Sequence, residues 1–152
     1  MVKVLFVCLG NICRSPMAEA IMRDLIEKEG FSGKISVDSA GTGSWHIGNP
    51  PHKGTLKKLA EYNISTDGLV ARQFSEKDYD EYDYIVGMDE SNIRNIYEMT
   101  GKPEAPKIIR LLDLTEAKKD VPDPYYTGDF QETYDLVSEG CQVLLEKIKA
   151  EM

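Results

Sequence analysis

The chain predicts an α/β fold: one domain over residues 1–152, a four-stranded parallel sheet with helices on both faces, and a short loop between the first strand and the first helix. Three observations carry this. Residues 2–7 are apolar except for Lys3, the pattern of a strand covered on both faces. Ser15 to Glu29 repeats apolar side chains at helical spacing. Such strand and helix patterns then alternate along the chain, which argues for a parallel sheet wound by right-handed crossovers.

In order, residues 2–7 are the first strand. Ser15 as N-cap and Pro16 as first helical residue start the first helix; Met17, Ala18, Ile21, Met22, Leu25 and Ile26 form its apolar stripe, and Gly30 stops it. Residues 34–38 read as the second strand, followed by the turn-rich Ser39-Ala40-Gly41-Thr42-Gly43. Pro50-Pro51 precedes a helix carrying Leu56, Leu59 and Ala60. Residues 82–88 are the third strand, and Asp89 caps a helix that ends near Gly101. Residues 105–111 are the fourth. A long irregular stretch, residues 113–129, contains Val121-Pro122-Asp123-Pro124-Tyr125-Tyr126; loops of that length inside compact domains are usually functional or mobile. The last helix opens with Asp129 and Glu132 at capping-box spacing, and its stripe (Phe130, Tyr134, Val137, Cys141, Leu144, Ile148) places Cys141 in the core.

Composition is that of a globular protein, with 41% hydrophobic and 29% charged residues. No apolar run reaches membrane-spanning length and no leader pattern opens the chain, so a cytoplasmic monomer is expected. A net charge of −8 argues against nucleic acid or an anionic membrane as partner. It also opposes any phosphorylated ligand, so affinity for one must be local. The three cysteines imply no disulfide scaffold, and Cys8, Cys13 and Cys141 with His46 and His52 show no zinc spacing; neither metal nor cofactor is expected.

The chemistry concentrates in Cys8-Leu9-Gly10-Asn11-Ile12-Cys13-Arg14-Ser15. A loop between strand and helix start forms a nest of backbone N–H groups suited to a tetrahedral dianion. The same field favours thiolate over thiol, which makes Cys8 a nucleophile beside bound phosphate. Gly10 supplies backbone angles closed to other residues, and Asn11 tolerates the left-handed region. Arg14 offers a planar fork to two phosphate oxygens, and Ser15 can hydrogen-bond the Cys8 sulfur. Cys-x5-Arg alone is a weak signal; the strand before it, the capped helix after it and Gly-Asn within it give it weight. Ligands of open parallel sheets bind outside the carboxyl ends of the strands. The Cys8 loop, residues 39–54, Met88-Asp89 and the Asp123 loop follow the four strands in turn and open onto that rim. Asp123, stiffened by flanking prolines and beside aromatics, suits a proton donor; Asp-Pro is equally a common turn pair.

The phosphate loop, with Asp38-Ser39-Ala40-Gly41-Thr42, Ala71-Arg72-Gln73, Asp83-Tyr84-Ile85, Met88-Asp89 and Asp123-Pro124-Tyr125-Tyr126, resembles the low-molecular-weight protein tyrosine phosphatases, in order and over essentially the whole chain. The resemblance implies that Cys8 attacks phosphorus and becomes a phosphocysteine. Arg14, Ser15 and the amides of Leu9, Gly10, Asn11, Ile12 and Cys13 then hold the oxygens, and Asp123 is the general acid and base. It implies tyrosine-phosphorylated proteins as substrates, inorganic phosphate as product, and a pocket of Leu9, Ile12, Trp45, Tyr125 and Tyr126, with His46 at the rim. Cys13 matches the family's second loop cysteine, a partner for Cys8 in a protective disulfide. Asn11, Ser15 and Ser39 match its loop support, but a histidine common two residues before Ala-Arg-Gln is here Leu69. Arsenate reductases of this fold need further cysteines that the stretch between Cys13 and Cys141 lacks. The alternatives are a protein arginine phosphatase, whose loop resembles this one with threonine at Ile12, and an idle phosphotyrosine-binding module.

Overall fold

Extended chain over Val2–Cys8 forms β1, whose Val4, Leu5, Phe6 and Val7 are completely buried. The computed structural model describes residues 1–152. Around β1 lie β2 (Ile35–Gly41), β3 (Tyr84–Gly87) and β4 (Ile108–Arg110), all parallel, in the order β2-β1-β3-β4. The helices are α1 (Arg14–Lys28), α2 (Lys53–Glu61), α3 (Glu76–Glu81), α4 (Glu90–Thr100), α5 (Pro124–Thr127) and α6 (Phe130–Glu151), with a 3-10 turn at Leu111–Leu114.

Alternation along β1 divides the core. Val4, Phe6 and Cys8 face a cluster built with Met17, Ile21 and Met22 of α1 and Val137, Cys141, Leu144 and Ile148 of α6. Leu5 and Val7 face the other side, with Ile85, Ile96, Phe74 and Tyr82. Each fully buried aliphatic side chain of α6 contributes about 1.5–3 kcal/mol. That is the predicted doubly covered sheet. Its order reverses between β1 and β3, so the crevice outside the carboxyl ends of those two strands is where this topology places a ligand.

Several boundaries differ from expectation. The first helix starts at Arg14 with Cys13 as N-cap and no side-chain cap bond; Ser15 lies within the first turn, because its hydroxyl is committed to Cys8 and Asn11. β2 runs on to Gly41, since Ser39, Ala40 and Gly41 pair in register with Phe6, Val7 and Cys8 despite their turn-like composition. β3 begins at Tyr84, because Tyr82 closes α3, a six-residue helix that periodicity is too short to reveal but that a Ser75–Asp78 capping box starts. The fourth strand is only Ile108–Arg110. The stretch 113–129 is interrupted by α5, capped by Asp123 at one end and by left-handed Gly128 at the other. Asp89 and Asp129 cap α4 and α6 as expected.

Candidate active site

β1 delivers Cys8 to the crevice. In the loop that follows, the carbonyls are drawn outward: Thr42 N donates to Cys8 O at 2.9 Å, Gly43 N to Leu9 O at 2.8 Å and His52 N to Ile12 O at 2.7 Å. The amides of residues 9–13 donate to no other backbone group, so the loop presents an excess of N–H dipoles at the N-terminus of α1. The residue that makes the loop turn is Asn11, with φ of 56°, and not Gly10. Gly10 answers a different need: a Cβ there would lie 3.1 Å from the His46 ring, which packs over the loop.

The Asn11 side chain is held at both of its polar atoms. Its Oδ1 accepts from Arg72 N at 3.0 Å, and its Nδ2 donates to Ser15 Oγ at 2.8 Å and Ser39 Oγ at 3.0 Å. Ser15 Oγ lies 2.9 Å from Cys8 Sγ. Asn11, Ser15 and Ser39 are thus brought together as expected. Leu69 is a core residue that takes no part; the network ends instead on Glu19, whose Oε1 accepts from Ser39 Oγ at 2.6 Å. Glu19 is buried, and burial pushes its carboxyl up to about 7, assisted by Asp38 and opposed by the Ser39 hydrogen bond, Arg23 and Arg72.

Arg14 is 2% exposed. Its Nη1 donates to Asp89 Oδ2 at 2.7 Å and Val121 O at 2.9 Å, and its Nη2 lies 3.4 Å from Asp123 Oδ2. Burial opposes its charge, but Cys8, Asp89 and Asp123 together outweigh that and strengthen its hold on the proton. Arg14 Nε is buried without a partner in the protein. Asp89 therefore does two jobs, capping α4 through Oδ1 and anchoring Arg14 through Oδ2. Sequence reasoning found only the first; the sole hint of the second was its place on the rim after β3.

Cys8, Arg14 and Asp123 line one cleft of about 360 Å³ with Leu9, Gly10, Ile12, Cys13, Trp45, His46, Tyr125 and Tyr126, a volume ordinary for a small-molecule site. Every residue expected in the catalytic set and the pocket is present there. Trp45 is 70% exposed, its ring packed against Gly43, where a Cβ would fall 1.9 Å from it. Tyr125 and Tyr126 are 57% and 76% exposed and meet edge to face at 5.3 Å. Asp123 Oδ1 accepts from Tyr125 N at 3.0 Å, which fixes the carboxylate relative to these walls. Beneath them His52, the α2 cap, stacks on Phe130 at 5.2 Å and meets the Tyr125 ring at 6.2 Å. Cys13 is buried; burial first, then Cys8 and Asp123, push its thiol up to about 12.

Loop amides converging at the switch point of an open parallel sheet give the chain the form of an α/β protein with a ligand crevice at the carboxyl ends of its strands. The chain matches the profile of low molecular weight phosphotyrosine protein phosphatase over residues 3–152. It is 57% identical to the low molecular weight protein-tyrosine-phosphatase YfkJ of Bacillus subtilis (strain 168), over 99% of this chain and 98% of that one. The crystal structure of YfkJ superposes with a TM-score of 0.97, covering 99% and 96% of the two chains. PtpA of Staphylococcus epidermidis, also a low molecular weight protein-tyrosine-phosphatase, is 47% identical over 97% of this chain and 94% of its own. DARP, a drosophila arginine phosphatase, superposes with a TM-score of 0.88 at 35% identity, covering 97% and 98%. The chain belongs to the low molecular weight phosphotyrosine protein phosphatase family and is an enzyme of that kind.

Proposed function

We propose that this enzyme hydrolyses phosphotyrosine monoesters on proteins and peptides through a phosphocysteine intermediate. The observation that supports it most is that Cys8 and Asp123 line one cleft with Arg14 between them and exposed aromatic rings at its mouth. The Cys8 sulfur attacks phosphorus as the bond to the phenolic oxygen breaks, and Asp123 gives that oxygen its proton. Water then attacks the phosphocysteine, Asp123 takes the water's proton, and the thiolate leaves toward the Ser15 hydroxyl, releasing inorganic phosphate. Arg14 and the amides of residues 9–13 hold the equatorial oxygens through both steps. The two carboxylates divide the work by distance. At 2.7 Å Asp89 is within the range of a charge-assisted bond and anchors Arg14; at 3.4 Å Asp123 is outside it and remains available to the leaving group. A reaction that needs a reduced thiol fits the reducing cytoplasm.

Flat walls at Trp45, Tyr125 and Tyr126 favour an aryl ester, and Ile12 adds apolar surface beside them. The likeness to DARP makes a phosphoarginine substrate the specific rival. Steady-state turnover of matched phosphotyrosine, phosphoserine and phosphoarginine peptides separates the readings. Phosphotyrosine is expected to lead by at least about a hundredfold in kcat/KM. Preference for phosphoarginine would transfer the assignment to that chemistry, and binding without turnover of any of the three would leave only a binding module.

We assign Cys8 and Cys13 as a redox pair. Peroxide oxidises Cys8 to the sulfenic acid; the Cys13 thiol then displaces water to form a disulfide, which a dithiol reduces back. Mild peroxide should therefore inactivate the enzyme reversibly. A Cys13→Ala variant should lose most of that recovery to over-oxidation, and equal recovery of the two proteins would sink the disulfide.

A further inference from the structure

We propose that Glu19 is a positioning residue: through Ser39 and Asn11 its carboxylate sets the direction of the hydrogen bonds that aim the Ser15 hydroxyl at Cys8 and hold the anion loop in shape. This rests on the reading of Cys8 as nucleophile.

The hydrogens of the network can be placed one by one. Arg72 N can only donate, so the Asn11 atom 3.0 Å from it is the carbonyl oxygen, and the amide cannot be turned over. Asn11 Nδ2 then has two hydrogens, and two hydroxyls receive them, Ser15 at 2.8 Å and Ser39 at 3.0 Å. Each serine keeps one hydrogen to give. Ser39 gives its own to Glu19 Oε1 at 2.6 Å. Ser15 has Cys8 Sγ at 2.9 Å and Ala40 O only at 3.5 Å, so its hydrogen goes to sulfur. Every donor has one acceptor, and the direction runs away from Asn11 along both branches. Glu19 closes the Ser39 branch. Without a strong acceptor there, the Ser39 hydroxyl is free to rotate and point its hydrogen back at Asn11 Nδ2, which has no lone pair to offer. Asn11 would lose one of the bonds that keep it in the left-handed region at φ 56°, and the loop amides would lose their common aim.

Glu19 sits in the first turns of α1 at 8% exposure, a poor place for a carboxylate without cause. The charged groups around it are Arg23 on its own helix at 3.9 Å, Asp38 on β2, and Arg72 from the connection before α3. Arg72 is itself engaged by Asp38 at 3.1 Å and by Asp78, so the one ion pair that Glu19 makes is the long one to Arg23. Burial raises its carboxyl to about 7, above the ordinary range. The linkage has a definite sign. A folded-state value above the unfolded one means that the stability contributed is full below about pH 4.5 and is lost as pH rises through about 7. The ionised form, which is the stronger acceptor, is thus the less stable one, and stability and function move in opposite directions with pH.

The test compares wild type with Glu19→Gln and Glu19→Ala in three readouts: Tm, the inhibition constant of inorganic phosphate, and kcat and KM for an aryl phosphate from pH 5 to 8. Glu19→Ala, with no acceptor, is expected to raise the phosphate inhibition constant and lower kcat by about tenfold each. Glu19→Gln retains an acceptor oxygen. It should match wild type near pH 5, then fall several-fold behind in kcat/KM near pH 8 while holding the higher Tm there. Should Glu19→Ala fail to fold, Ser39→Ala breaks the same link from the other side, and combining it with Glu19→Gln should cost no more than Ser39→Ala alone. A Gln-to-wild-type activity ratio independent of pH, or Tm and activity falling together, would overturn the proposal. Absence of aryl phosphate turnover in wild type would instead overturn the proposed reaction, while phosphate affinity would still report on Glu19.

Discussion

Cys8→Ser is expected to lower turnover of p-nitrophenyl phosphate by about 10⁴-fold or more while leaving inorganic phosphate bound. The two halves of this result come from separate parts of the site. Binding resides in the amides of residues 9–13, whose carbonyls are tied outward to Thr42, Gly43 and His52, and in Arg14, anchored on Asp89 and Val121. A serine at the end of β1 disturbs none of these. In the proposed reaction the bond to phosphorus is made by the sulfur. A serine hydroxyl has no base positioned to take its proton: the side chain 2.9 Å from the sulfur is the Ser15 hydroxyl, which is no base. Steady-state kinetics with calorimetric titration of phosphate checks both halves. Appreciable residual turnover would show that Cys8 is not the nucleophile, and loss of phosphate binding with turnover would show that Cys8 helps to shape the loop.

What could be read in the chain divides along physical lines. β1 and α6 were legible because burial imposes a period, and the apolar run at residues 2–7 and the stripe through Val137, Cys141, Leu144 and Ile148 repeat it cleanly. The extent of β2 was not, because Ser39-Ala40-Gly41 carries turn-forming residues that a parallel ladder with β1 overrides. The loop after β1 was legible because its reactive groups are local: thiol, guanidinium and hydroxyl lie within eight consecutive positions. Its supports were not. Arg14 meets Asp89 across 75 positions, Asn11 meets Arg72 across 61, and Ser39 meets Glu19 across 20. Periodicity reports which face of a helix is buried, not which polar group that face will meet. For Glu19 a signal did exist: it stands among Met17, Ala18, Ala20 and Ile21, all buried, and a carboxylate in such company needs a donor. The start of α1 shows the same competition from the other side. Ser15 has the residue type of an N-cap, yet its hydroxyl is claimed by Asn11 and the Cys8 sulfur, and the cap position falls to Cys13, which makes no side-chain cap bond.

Asp123→Asn is expected to slow esters of poor leaving groups by about 10²–10⁴-fold and p-nitrophenyl phosphate far less. The substitution is close to isosteric. An asparagine oxygen can still accept from Tyr125 N, so α5 keeps its cap and Tyr125 and Tyr126 keep their places. Arg14 loses its 3.4 Å neighbour but retains Asp89 at 2.7 Å, so the phosphate clamp stays put. What disappears is the transferable proton. A p-nitrophenolate departs without it, whereas an unactivated phenolate does not, and the rate should become steeply dependent on leaving-group acidity where wild type shows little dependence. The second step loses a base, so with activated esters the phosphocysteine should accumulate, giving a burst of one phenolate per enzyme and a phosphorus resonance of a thiophosphate. Equal losses across leaving groups, or no covalent intermediate with the activated ester, would remove Asp123 from proton transfer and leave it only the role that its geometry already establishes, the cap of α5.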